Sequence, residues 1–171
     1  MIAWMKKLIG WLFPKPKREM PDAINDRFPS FWDFVRAMDS PLEVAHWIQS
    51  FTVYDLSKNL GWGQEPVDGE HFDDLMASLA YSLWKRKGGA CGNYMAMFVV
   101  CAREHGLECG GMVDHGHARG WILFDGVICI TDNKTITRTE MRDKAALMAK
   151  YKSGIFVDEN YKVVRNGHNA Y

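Results

Sequence analysis

A balanced charge and an ordinary composition bound what this chain of 171 residues can be. Its 21 Lys and Arg residues equal its 21 Asp and Glu residues, so the net charge gives no argument for a nucleic acid or a membrane as the main partner, and we predict no nucleic-acid partner. A content of 47% hydrophobic and 25% charged residues is typical of a soluble globular protein with one domain-sized core.

The first 18 residues form a segment with its own pattern. Residues 1–13 have the spacing of an amphipathic helix, and Pro14 and Pro16 end it in a basic linker. We therefore divide the chain into a segment at 1–18 and a single domain at 19–171. Three interpretations of the helix stay open: packing on its own domain, anchoring at a membrane surface, or docking to a protein partner.

The same segment bears on localisation. It has no small-residue cleavage site of a secretory signal, and its apolar stretch is too short to span a bilayer. The four cysteines show no CxxC motif and no framework spacing, so we expect reduced thiols in the cytoplasm.

Helices are predicted in the first two thirds of the domain. The pattern from Phe31 to about Leu60 is helical, and Ser40 followed by Pro41 marks a second helix start within it. Apolar residues then recur at helical spacing over 71–87 and again over 91–105.

Strands follow, and they make the predicted fold class α+β. The stretch 107–131 reads as strands, with Asp125-Gly126 as a strong two-residue hairpin loop. A late helix is predicted from about Arg138 to Tyr151, because Thr137 and Glu140 match a capping box. A second hairpin is expected around 158–160. We expect the helices to pack on an antiparallel sheet.

The hairpin loop fixes a register that brings two polar residues together. If Asp125-Gly126 is the loop, Phe124 pairs with Val127, and the pairing continues outward until His117 faces Lys134. Asp132 then lies one diagonal step from His117 on the same face, where an imidazole and a carboxylate can meet.

Cys91 is the cysteine whose surroundings point to chemistry. It leads a helix in the run Gly88-Gly89-Ala90-Cys91-Gly92, and the unpaired N–H groups and positive dipole of a first helical turn favour a thiolate. Those N–H groups could also donate to an oxyanion, and Gly89 and Gly92 would let a substrate backbone approach closely.

A family resemblance covers about residues 60–135. Its most specific part is the run GGACGNYMAMFVVCAREHGLECGGMVDHGHARGWILFDGVICITDN, which resembles the core of the transglutaminase-like superfamily of papain-type thiol enzymes. The similar features are a Gly-rich turn into a helix-leading Cys, a Gly-His-Ala segment and a strand that ends in Asp.

The resemblance implies a catalytic triad. In it Cys91 is the nucleophile, His117 the general base and acid, and Asp132 the orienting carboxylate. His115, expected two residues away on the same strand face, is the second candidate base; we prefer His117 because it matches the Gly-His-Ala segment. Trp62 or Gln64 are the candidates for completing the oxyanion hole.

The implied reaction is attack on an amide, peptide or ester carbonyl through a thioester. Water would then give a peptidase or deamidase, and an amine would give a cross-linking acyltransferase. The expected partner is a protein or peptide substrate, and no cofactor or metal is expected.

A structural role fits the other cysteines better than a catalytic one. Cys101 and Cys129 lie in strongly apolar stretches and are predicted to be core thiols. Cys109 with His115 and His117 permits a metal site, but the spacing matches no familiar zinc pattern.

Two hypotheses from different classes follow. The leading one is a thiol hydrolase or acyltransferase that uses Cys91, His117 and Asp132. The alternative is a non-catalytic interaction or assembly module on the same fold, for example a phage virion or host-interaction protein, which docks through residues 1–13.

Overall fold

The computed structural model describes residues 28–56 and 74–167, with five helices and eight strands among them. The helices are α1 (Phe31–Ala37), α2 (Pro41–Phe51), α3 (Leu75–Arg86), α4 (Cys91–Glu104) and α5 (Lys144–Lys150). The strands are β1 (Val53–Tyr54), β2 (Gly88–Gly89), β3 (Cys109–Asp114), β4 (His117–Phe124), β5 (Val127–Asp132), β6 (Thr135–Arg138), β7 (Ile155–Val157) and β8 (Val163–Asn166). All these elements belong to one compact unit that begins at Phe31.

The helix α2 begins where the sequence predicts. Ser40 has an extended backbone, and its hydroxyl accepts a hydrogen bond from the Glu43 N–H at 3.2 Å. Pro41 occupies the first helical position, where no N–H is needed. The predicted helical run to about Leu60 is too long, because α2 ends at Phe51 and β1 follows and pairs in parallel with Gly88–Gly89.

The helix α4 lies at the centre of the core. All its residues from Asn93 to Ala102 are buried, between α3 on one side and the sheet on the other. Each large apolar side chain that is fully buried there contributes about 1.5–3 kcal/mol to folding. The position of Cys91 is therefore fixed at the start of a helix that is buried along most of its length.

The main sheet has six antiparallel strands in the order β6-β5-β4-β3-β7-β8. The predicted hairpin register is confirmed, with Phe124 opposite Val127 and Trp121 opposite Ile130. Asp125 and Gly126 have φ values of 51° and 74°, which a two-residue turn between twisted strands requires. Helices packed on an antiparallel sheet confirm the α+β class.

The late helix begins six residues later than predicted. Thr135–Arg138 is strand β6, in which Thr137 pairs with Ile130, so the expected capping box cannot form. The cap is Asp143 instead, whose carboxylate accepts from the Ala146 N–H at 2.8 Å. Strand β6 pairs its backbone N–H and C=O groups with those of β5. The free energy of this pairing outweighs the local helical pattern.

The second predicted hairpin is confirmed. It consists of β7 and β8, with an irregular register at Phe156 and Val157. Its loop is closed by the Asp158 carboxylate, which accepts from the backbone N–H groups of Asn160 and Lys162.

The predicted amphipathic helix at 1–13 and its linker to residue 18 lie outside the described residues. Within 28–56 and 74–167, no helix combines the length and apolar character that crossing a membrane requires.

Candidate functional site

His117 is the first residue of β4 and follows a tight turn. His115 and Gly116 form this turn with φ values of 48° and 75°, and His117 pairs with Asp114 across it. The expectation that His115 shares a strand face with His117 is wrong, because His115 belongs to the turn and its side chain is 88% exposed. Of these two histidines, His117 is the one that lies on a strand of the sheet.

Asp132, the last residue of β5, accepts a hydrogen bond from His117. The distance from His117 Nε2 to Asp132 Oδ1 is 2.8 Å. The β4–β5 ladder stops at Gly120 and Thr131, and β5 then turns through Asn133 into β6. The two side chains therefore meet just beyond the ladder.

The prediction that His117 faces Lys134 across the hairpin is wrong, because the β4–β5 ladder ends at Gly120 and Thr131. Lys134 lies in the β5–β6 turn, where its ammonium group donates to the Thr52 carbonyl and its carbonyl accepts from Gln49 at 2.9 Å. These contacts hold the turn that follows Asp132 against the end of α2.

The second oxygen of Asp132 also has a donor. Arg119 Nε lies 3.0 Å from Asp132 Oδ2. Burial alone would raise the pKa of Asp132, but the hydrogen bonds and charges of His117 and Arg119 outweigh burial and hold the pKa below the usual value of an aspartate. Asp132 is therefore a carboxylate at neutral pH.

The ionised carboxylate fixes the tautomer of His117. A carboxylate accepts hydrogen bonds and has no proton to donate, so Nε2 of His117 must carry the hydrogen of this contact. A neutral imidazole has a single N–H, and its Nδ1 then holds a free lone pair. The geometry makes Nδ1 the atom that can take up a proton.

Cys91 occupies the first position of α4, and a buried asparagine fixes the turn before it. The Asn93 side chain accepts from the Ala90 N–H at 3.0 Å and donates to the Leu79 carbonyl at 3.1 Å. A Cβ on Gly89 would lie 2.7 Å from Asn93 Oδ1, whereas a Cβ on Gly92 would meet nothing within 4 Å. Gly89 makes room for Asn93, and Gly92 borders open space.

Cys91 also differs from the other cysteines in accessibility. It is partly exposed, whereas Cys101, Cys109 and Cys129 are buried, which confirms Cys101 and Cys129 as core thiols. Burial raises the pKa of all three buried thiols, and that of Cys109 reaches about 12.

The start of α4 and the start of β4 lie at the same end of the helix–sheet interface. The Met95 carbonyl lies 3.6 Å from where a Cβ of Gly120 would be, and further along both elements the Val99 carbonyl contacts Cys109, which pairs with Ile122. The two elements therefore run in the same direction. Cys91 lies four residues before Met95, and His117 lies three residues before Gly120.

Tyr161 is a titratable residue whose pKa responds to the charge of Cys91, and the sequence did not indicate it. It lies in the β7–β8 loop with a φ of 67°. Burial first, and the negative charge of an ionised Cys91 second, raise its pKa above the usual tyrosine value. No local pattern marks this tyrosine, because the loop is distant from Cys91 in the chain.

Cys109, the other described residue that the sequence allowed as part of a site, does not join this group. Trp62 and Gln64 lie outside the described residues. Cys109 is buried with its sulfur 3.6 Å from the Val99 carbonyl oxygen, at the opposite end of the β3–β4 hairpin from His117. Within the part of the chain that the structure describes, no cluster of three His, Cys, Asp or Glu side chains could hold a metal ion.

Comparison with known proteins adds no family assignment. No protein-family model matches the chain, and no curated protein matches it by sequence. The geometry of the site is therefore the basis for its chemistry.

Proposed function

We propose that the protein is a thiol-dependent hydrolase or acyltransferase of the transglutaminase-like fold. It acts on amide, peptide or ester carbonyls of a protein or peptide substrate through a thioester, with Cys91, His117 and Asp132 as its triad. The observation that carries this proposal is the 2.8 Å contact between His117 Nε2 and Asp132 Oδ1, because it leaves Nδ1 free to act as a base.

In the first step Nδ1 of His117 takes the proton of the Cys91 thiol, and the sulfur attacks the substrate carbonyl carbon. The carbonyl oxygen becomes an oxyanion, which backbone N–H groups of the first turn of α4 stabilise. The imidazolium then gives its proton to the leaving amine or alcohol, and a thioester on Cys91 remains.

In the second step His117 removes a proton from water or from an amine, which attacks the thioester. Water releases a carboxylic acid, and an amine gives a new amide; in both cases the proton returns to Cys91. Because the nucleophile must stay a free thiol, as all four cysteines are, we place the activity in a reducing compartment such as the cytoplasm.

The test is acylation by an activated ester. The full chain is mixed with 4-nitrophenyl acetate, release of nitrophenol is followed by absorbance, and the acylated residue is located by mass spectrometry. We expect a rapid release of about one equivalent with acetyl on Cys91, followed by slower turnover. Cys91→Ser and His117→Ala should abolish the rapid phase.

If the wild type releases nitrophenol no faster than Cys91→Ser, the result would contradict the proposal and favour a non-catalytic interaction module.

One observation favours that alternative. Three apolar residues that lie close together in the chain, Val53, Tyr54 and Leu56, are 55%, 48% and 68% exposed, as is common at interaction surfaces. The alternative function also includes docking through residues 1–13. Deletion of residues 1–16 tests that docking, with assembly or membrane association as the measurement.

A further inference from the structure

The carboxylate of Asp132 is held at both oxygens from one strand. Oδ1 contacts His117 Nε2 at 2.8 Å, and Oδ2 accepts from Arg119 Nε at 3.0 Å. His117 and Arg119 are two positions apart on β4 and therefore point to the same face of the sheet. The two donors fit the two oxygens of one planar carboxylate.

Holding Oδ2 restricts how Oδ1 can be oriented. The last torsion of an aspartate side chain is broad and roughly two-fold, so a carboxylate with one partner can rotate. We infer that Arg119 is a positioning residue, which through Asp132 keeps Oδ1 aimed at His117 Nε2 and so keeps Nδ1 free as the base. Its consequence for catalysis rests on the proposed function, but the orientation itself does not.

The other charged groups near this cluster have partners of their own. Asp114, opposite His117 on β3, accepts from the Ser153 hydroxyl at 3.0 Å. Lys134, in the turn after Asp132, donates to the Thr52 carbonyl. Among the described residues, the contacts of the Asp132 carboxylate are thus the Arg119 guanidinium and the His117 ring.

Three substitutions separate the hydrogen bond of Arg119 from its charge. Arg119→Met keeps the length of the side chain as far as the position of Nε but has neither donor nor charge. Arg119→Gln places an amide nitrogen at about the position of Nε, so it keeps the donor and loses the charge. Arg119→Lys keeps the charge with a donor of different geometry. Arg138→Met, on β6 near the Asp125 turn, is the matched control for loss of an arginine from the same sheet.

The first measurement is the tautomer of His117, from the ring ¹⁵N shifts in the full chain. In wild type we expect the hydrogen on Nε2. In Arg119→Met we expect a mixture of tautomers, with Arg119→Gln and Arg138→Met unchanged. An unchanged tautomer in Arg119→Met would overturn the inference. The same mixture of tautomers in Arg119→Gln and Arg119→Met would also overturn it, because the charge of Arg119 and not its hydrogen bond would then determine the tautomer.

The second measurement is the rate at which iodoacetamide alkylates Cys91. We expect a roughly tenfold loss in Arg119→Met, the size of one hydrogen bond to a charged group, with smaller losses in Arg119→Gln and Arg119→Lys. If the tautomer changes in Arg119→Met but Cys91 is unreactive in the wild type, the positioning role is supported and the proposed function is contradicted. If Arg119→Met does not fold, judged from amide spectra of the sheet, Arg119→Gln and Arg119→Lys decide the question. A wild-type tautomer in Arg119→Gln supports the role of the donor, and a mixture in Arg119→Gln with the wild-type tautomer in Arg119→Lys would overturn it.

Discussion

His117 Nε2 lies 2.8 Å from Asp132 Oδ1 although the two residues belong to different strands and lie beyond the last backbone pair of those strands. The β4–β5 ladder ends at Gly120 and Thr131, so no backbone pair between these two strands holds the two side chains together, although His117 still pairs with β3 and Asp132 with β6. Arg119 and the turn after Asp132 supply the support that the ladder does not. The tautomer of His117 thus depends on a few identifiable contacts.

Asp132→Asn should lower the reactivity of the Cys91 thiol more than Asp132→Ala does. An amide at position 132 can donate to Nε2 and thereby force the hydrogen onto Nδ1, which removes the base, whereas alanine leaves both tautomers accessible. We expect a loss of roughly tenfold or more in the rate of Cys91 alkylation in Asp132→Asn at neutral pH. Equal rates in wild type and Asp132→Asn would contradict the assigned tautomer.

Asp132 should make the stability of the protein depend on acid pH. Its pKa is lower in the folded state than in the unfolded chain, so its contribution to the free energy of unfolding is present above the unfolded value of about 4 and is lost as the pH falls through the folded pKa. Urea denaturation at several pH values should show wild type losing stability below about pH 4 faster than Asp132→Asn. Parallel pH curves would show that the carboxylate is not held as the structure indicates.

Gly89→Ala and Gly92→Ala should differ although both glycines flank Cys91. The Cβ of alanine at 89 would lie 2.7 Å from Asn93 Oδ1, and the buried Asn93 could not move without breaking its hydrogen bonds. We expect a loss of about 1–3 kcal/mol in the free energy of unfolding for Gly89→Ala. Gly92→Ala enters open space in a helix and should be neutral or more stable by up to about 1 kcal/mol. Urea denaturation of both variants checks this, and equal stabilities would contradict it.

Local rules account for much of the fold. Ser40 and Pro41 marked a helix start, Asp125-Gly126 marked a turn and set the register of β4 with β5, and Cys91 was expected at the start of its helix. In each case neighbours in the sequence decide the structure, through a cap, a turn or a helical period. His117 and Asp132 meet as that register predicted, although the ladder itself ends at Gly120 and Thr131.

Other features depend on contacts that no local pattern encodes. Thr137 matches a helix cap but pairs with Ile130 as part of a strand, because β5 offers it an edge. The hydrogen bond from Arg119 to Asp132 depends on where the β4–β5 ladder ends, and the influence of Cys91 on the pKa of Tyr161 joins two distant parts of the chain. The sequence predicted a pair at this site, and the structure adds the residues that support it.

The four cysteines should react very unequally in the folded protein. Cys101, Cys109 and Cys129 are buried and burial raises their pKa, whereas Cys91 is partly exposed at the start of α4. Brief treatment with iodoacetamide at neutral pH, followed by peptide mapping, should therefore find label on Cys91 alone. Unfolding in urea before treatment is the control and should label all four. Label on Cys109 in the folded protein would contradict the packing of β3 against α4.

The most direct test of the proposed triad is the rate of Cys91 alkylation across pH, in wild type, in His117→Ala and in a short unstructured peptide that contains cysteine. If His117 is the base of Cys91, wild type should react faster than the peptide at neutral pH, and His117→Ala should slow it by roughly tenfold or more. A wild-type Cys91 that reacts no faster than the peptide, or no faster than in His117→Ala, would contradict the account.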